Sequence, residues 1–128
     1  MRTSHINAEI NKIFRRIMHW TGKNGGGTFG LYGAPIMIKS GYQVGGSAVA
    51  PTLKLYFPKH ESTAIEVVVQ DRFRSWYKTW ARDDTAGFML GTWKADDGTV
   101  YIDLTEHVAS LVEAFAMARA RCETHIWD

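Results

Sequence analysis

Four groups of residues in this sequence have types and spacings that could do chemistry. The glycine-rich stretch GKNGGGTFGLYG, residues 22–33, reads from Gly25 through Gly27 to Gly30 as G-x-G-x-x-G, the letters of a phosphate cradle. Cys122-Glu123-Thr124-His125, with His107 upstream, has the short spacing of half a zinc site. Asp96, Asp97, Asp103 and Glu106 form a carboxylate cluster of the kind that can hold Mg²⁺ or Ca²⁺. Lys12, Arg15, Arg16 and Lys23 place four cations close together near the N-terminus, where they could meet phosphates.

The surroundings of each group decide how far its chemistry goes. A dinucleotide cradle needs a strand leading in and a helix leaving, so that free N–H groups and the helix dipole face the pyrophosphate. Here a helical pattern precedes the glycines, and Pro35, Ile36 and Ile38 after them predict a strand. The Walker alternative fails at Asn24, where Ser or Thr is required after Gly22-Lys23. The glycines at 25–27 therefore read as a flexible connector, with Gly30 and Gly33 at turns or close approaches. The zinc reading stops at half a site, because a helix from about residue 105 would hold His107 roughly 22 Å from Cys122. Cys122 would also sit at a helix C-terminus, which disfavours a thiolate nucleophile. Asp96 and Asp97 are explained by the turn Ala95-Asp96-Asp97-Gly98. No Ser/His/Asp order or paired-carboxylate motif is present elsewhere, so the expectation is a protein that is not an enzyme and takes no cofactor and no metal.

The elements that must position these residues follow from periodicity. Ile10, Ile13, Phe14, Ile17 and Met18 predict an amphipathic helix over residues 7–20, capped by Asn7 and stopped by residues 21–27, with Lys12, Arg15 and Arg16 off its apolar stripe. Alternation predicts strands within 36–44, 52–57 and 64–69. Phe73, Trp76, Tyr77 and Trp80 then recur at helical spacing and predict a helix over 71–82, capped by Asp71, whose aromatic stripe is core rather than a platform for stacking bases. Residues 87–94 and 99–104 around the Asp-Asp-Gly turn predict a β-hairpin. A last helix from about Thr105 is expected to bury Val108, Leu111, Val112, Phe115 and Ala118, and 124–128 to close as a terminal strand. The sum is a single compact α+β domain over residues 1–128, an antiparallel sheet of five to six strands with about three helices packed against it.

At 128 residues, 45% hydrophobic and 22% charged, the chain can bury one modest core. No window is apolar enough to span a membrane, the N-terminus lacks the apolar stretch of a secretory signal, and one cysteine cannot staple a fold, so a cytoplasmic protein with no membrane partner is expected. The net charge of +2 conceals an imbalance: residues 1–60 carry eight Lys or Arg against Glu9 alone, a net of +7, and residues 61–128 a net of −5. Such polarity suits an anionic partner for the first half, although charge complementarity within the fold gives the same pattern.

Residues 91–128, through Gly91-Thr92-Trp93 and Tyr101-Ile102-Asp103, resemble the strand, Asp/Gly turn, strand, helix and short-strand ending of uncharacterised small proteins of bacteriophages and mobile genetic elements. The resemblance implies an accessory protein of a phage or plasmid and carries over no activity or site residue. The leading expectation is thus a non-catalytic accessory protein that binds nucleic acid or a nucleoprotein through Lys12, Arg15, Arg16 and Lys23. The second is a protein–protein inhibitor, such as an anti-defence (anti-CRISPR-like) factor of a phage, presenting Asp83, Asp84, Asp96 and Asp97 to a basic groove. The third, with least support, is a small metal-dependent enzyme using Asp96, Asp97, Asp103 and Glu106.

Overall fold

The structure is a computed structural model and describes residues 3–37, 40–45, 50–56, 63–81 and 87–121. Along the chain run α1 (Thr3–Asn24), β1 (Gly26–Phe29), β2 (Tyr42–Val44), β3 (Leu53–Leu55), α2 (Thr63–Trp80), β4 (Met89–Lys94), β5 (Val100–Val108) and α3 (Leu111–Ala120). Among the described residues, three helices and a five-stranded antiparallel sheet make an α+β fold, as the sequence pattern predicts. β5 organises the sheet. Its one edge pairs with β4 from Met89↔Thr105 to Lys94↔Val100, and its other edge takes β3 opposite residues 100–102 and β2 opposite residues 106–108. β1 adds to the free edge of β4.

The predicted β4–β5 hairpin is present, and its turn shows why Asp97 is there. The Asp97 carboxylate accepts the Thr99 N–H at 2.9 Å, and this backbone donor holds the carboxyl below the usual carboxylate range. Gly98, at φ +89°, supplies the positive φ that the turn requires.

The core lies between the sheet and the α1–α2 pair. Ile10, Ile13, Phe14 and Ile17 of α1 meet Phe73 and Trp76 of α2 and Phe29, Leu90, Ile102 and Leu104 of the sheet, all buried. Phe73 is the hub, with ring centroids 5.0 Å from Phe14, 6.2 Å from Trp76 and 5.7 Å from Tyr77. The aromatic stripe of α2 is therefore core, as expected. Among the described residues no helix is long and apolar enough to cross a membrane.

Four expectations are corrected. First, α1 runs past Trp20 because Thr21 is completely buried and bonds its hydroxyl to that of Thr92 on β4 at 2.6 Å. The helix stops only at Gly25, whose φ of +81° and N–H to the Thr21 carbonyl (2.8 Å) make a left-handed cap. Asn7 accordingly lies inside the helix, not at its cap. Second, Gly26 and Gly27, taken with Gly25 for a connector, open edge strand β1. A side chain on Gly27 would meet the Trp20 indole at 2.8 Å, and one on Gly26 the Thr92 carbonyl at 2.7 Å, so these positions are close approaches. Third, the strand expected at 64–69 is the first half of α2. Val69 falls one turn before Phe73 and is buried with it, so packing overrides the β-preference of the valines, of which Val67 and Val68 remain exposed. Asp71 sits mid-helix and pairs with Arg74.

Fourth, β5 continues to Val108, since β2 offers ladder partners for residues 106–108. The true cap of α3 is Ser110, whose side chain accepts the Glu113 N–H. With the helix shifted, Ala114 and Ala118 face inward while Leu111, Val112 and Phe115 are exposed. The terminal strand expected at 124–128 lies outside the described residues.

Candidate nucleic-acid interface

Length and phase of α1 arrange the N-terminal cations. At about 100° per residue, Lys12, Arg15, Arg16 and Lys23 fall within an arc of roughly 100°, on the side away from Ile10 and Ile17. All four are exposed, and His19 lies exposed among them. Because the helix extends to Asn24, Lys23 belongs to it and the stripe covers about 17 Å from Lys12 to Lys23 at 1.5 Å per residue. Lys12 has an exposed partner, Glu9, at 3.3 Å, a surface pair that holds it weakly. Among the described residues, Arg15 and Lys23 meet no carboxylate within ion-pair distance.

The stripe borders a groove of about 440 Å³ between α1 and the C-terminal end of α2. Ile6, Ile10 and Ile13 form its apolar wall, Lys12 and Arg16 stand on one side, and Lys78 of α2 adds a cation from the other. Over it lies the turn at residues 30–33, which presents Tyr32 with 79% of its surface exposed.

That turn is held from several directions. Gly33 donates its N–H to the Gly30 carbonyl at 2.9 Å, and the Gly30 N–H bonds the Ala34 carbonyl at 2.9 Å. The Tyr77 hydroxyl donates to the Leu31 carbonyl at 2.6 Å and the Arg16 guanidinium reaches the Tyr32 carbonyl at 3.4 Å. Gly33 itself, at φ +91°, lies against the α1 backbone, where an added Cβ would be 3.4 Å from the Ile13 Cα. Burial, reinforced by the neighbouring Tyr32, pushes the Tyr77 phenol up to about 12, which keeps it a neutral donor to the turn.

Sequence reasoning put Lys12, Arg15, Arg16 and Lys23 together and the structure places them on one face, with only Lys12 and Arg16 lining the groove. It missed Tyr32, Tyr77 and Lys78 as groove residues. The available signal was an aromatic between two closely spaced glycines, Gly30-Leu31-Tyr32-Gly33; the approach of Lys78 depends on how the helices cross and has no local signature.

The other candidate groups separate. Asp83 and Asp84, half of the acidic surface, lie outside the described residues, as do Cys122 and His125. Asp96 and Asp97 are exposed in the hairpin turn. Asp103 is bonded by the Thr52 hydroxyl, Glu106 is paired with Arg121 at 2.6 Å, and His107, on β5 and not on a helix, bonds Gln43 at 2.8 Å. Among the described residues no three His, Cys, Asp or Glu side chains converge as a metal site would require. One further aromatic surface exists on the sheet, where Trp93 stacks on Tyr101 (5.4 Å between centroids) under Lys54. Lys54 there is close enough to Asp97 to act on its carboxyl, so this surface mixes charges where the α1 groove is basic.

Comparison with protein-family models, with curated proteins and with solved structures finds no match for this chain.

Proposed function

We propose that this protein is a non-catalytic nucleic-acid-binding protein whose contact surface is the solvent face of α1. The observation that carries the reading is the exposed stripe Lys12–Arg15–Arg16–Lys23, in which Arg15, Arg16 and Lys23 have no carboxylate partner among the described residues. Unpaired cations along one helix face can displace counterions from a phosphate backbone, and this term supplies most of the affinity of sequence-independent binding. A nucleoprotein would offer the same charge. An accessory role for a phage or other mobile element, exercised in the cytoplasm, is part of the same proposal.

The test is binding of generic DNA and RNA at low ionic strength, followed by fluorescence anisotropy. Arg15→Glu with Arg16→Glu, both at exposed positions, is expected to abolish binding with at most a small shift of the thermal unfolding curve, since the fold gives up only the 3.4 Å contact of Arg16 with the Tyr32 carbonyl. Absence of binding by the unaltered protein in low salt, or binding indifferent to this double reversal, refutes the reading.

A further inference from the structure

We infer that the groove between α1 and α2 takes single-stranded nucleic acid, with an unpaired base stacked on Tyr32. This rests on the proposed function and names its substrate class. Tyr32 is a large aromatic exposed over 79% of its surface, yet it sits on a turn pinned by the Tyr77 hydroxyl, the Arg16 guanidinium and the Gly33–Ile13 backbone approach. Exposing an aromatic face to water brings the fold no burial energy. Holding it rigid lowers the entropy cost of placing a flat ligand against it.

The ligand's chemistry follows from the neighbours. Lys12 and Arg16 on one side and Lys78 on the other put positive charge on both sides of the groove, and among the described residues its single acid, Glu9, is paired with Lys12. A strand laid along the groove can set phosphates on these cations while a base covers the Tyr32 ring and another part of the strand lies on Ile6 and Ile10. Base-on-aromatic stacking requires bases free of their own stack, which a duplex does not provide and a single strand does. The volume of about 440 Å³ falls within the roughly 300–1,000 Å³ typical of small-ligand sites, enough for a base and sugar and too little for a duplex. An acidic amphipathic helix, the competing occupant, needs an apolar track of several turns. Here the apolar wall spans only Ile6 to Ile13, whereas the cations continue along α1 to Lys23.

The experiment measures affinity of the full chain for a fluorescent oligo-dT, an oligo-U of equal length, a duplex of equal length and an acidic amphipathic peptide, at low salt. Expected are tighter binding of the single strands than of the duplex, a loss of roughly 5- to 150-fold for Tyr32→Ala and near-retention for Tyr32→Phe. The dT and U arms tell whether DNA or RNA is preferred. A 5-iodouracil-substituted strand should crosslink to Tyr32 on irradiation, a readout that does not depend on any variant folding. Preference for duplex, or single-strand binding unchanged in Tyr32→Ala with crosslinks elsewhere, overturns the inference and leaves nucleic-acid binding standing. Binding of the peptide with no binding of any oligonucleotide overturns both.

Discussion

At the scale of single residues, two buried hydroxyls join helix to sheet. Thr21 and Thr92, 0% and 8% exposed, share a 2.6 Å hydrogen bond where α1 reaches β4. Thr21→Val should leave the Thr92 hydroxyl without a partner and cost about 1–3 kcal/mol in urea unfolding, whereas Thr21→Val with Thr92→Val should recover most of that loss. Tyr77 predicts an alkaline effect with a definite sign. Its phenol ionises near 10.0 when unfolded and about 12 when folded, so between these values the unfolded chain holds fewer protons. Stability from this group is complete below pH 10.0 and declines as the pH rises toward 12, and Tyr77→Phe should remove that part of the decline. Its titration, followed by tyrosinate absorbance, should be displaced upward from 10.0 toward about 12.

At the scale of elements, the two helices next to misread boundaries offer a direct contrast. Phe115, placed in a buried stripe by helical spacing, is 56% exposed on α3, while Phe73 is wholly buried at the hub of the core. Phe115→Ser should change stability by no more than about 0.5 kcal/mol. Phe73→Ala should cost roughly 3–5 kcal/mol, both read from chemical denaturation. The start of α3 is legible as Ser110-Leu111-Val112-Glu113, the spacing of a capping box, but Asp103-Leu104-Thr105-Glu106 upstream has the same spacing. What settled the choice was the ladder between β2 and residues 106–108, which a linear reading has no means of seeing.

At the scale of the molecule, four of the eight cations of the first half share one exposed helix face, while Lys54 stands on the sheet. If the four cations of the stripe each neutralise one phosphate, the plot of log affinity against log salt should have a slope of about −3.6 on duplex and about −2.8 on single strands. Each charge-neutralising substitution along the stripe should then reduce its steepness by a little under 1, measured by titration at several salt concentrations. A slope near zero would mean that the cations of α1 do not contact the nucleic acid.

Local pattern sufficed wherever an element's neighbours in sequence are also its neighbours in space. The apolar stripe of α1, the aromatic stripe of α2 and the Asp-Asp-Gly hairpin all follow from periodicity and turn chemistry, and so does the co-location of Lys12, Arg15 and Arg16. Tertiary contact decided the rest. Gly26 and Gly27 became a strand because β4 had a free edge and Trp20 needed a surface without side chains, and the valines of 67–69 became helix because Val69 could join Phe73 in the core. Tyr32 became the exposed ring over a basic groove because Tyr77 and Gly33 pin its turn across α1 and α2. Those outcomes depend on burial and hydrogen bonds between residues far apart in the chain, whose energies exceed the local preferences that a sequence displays.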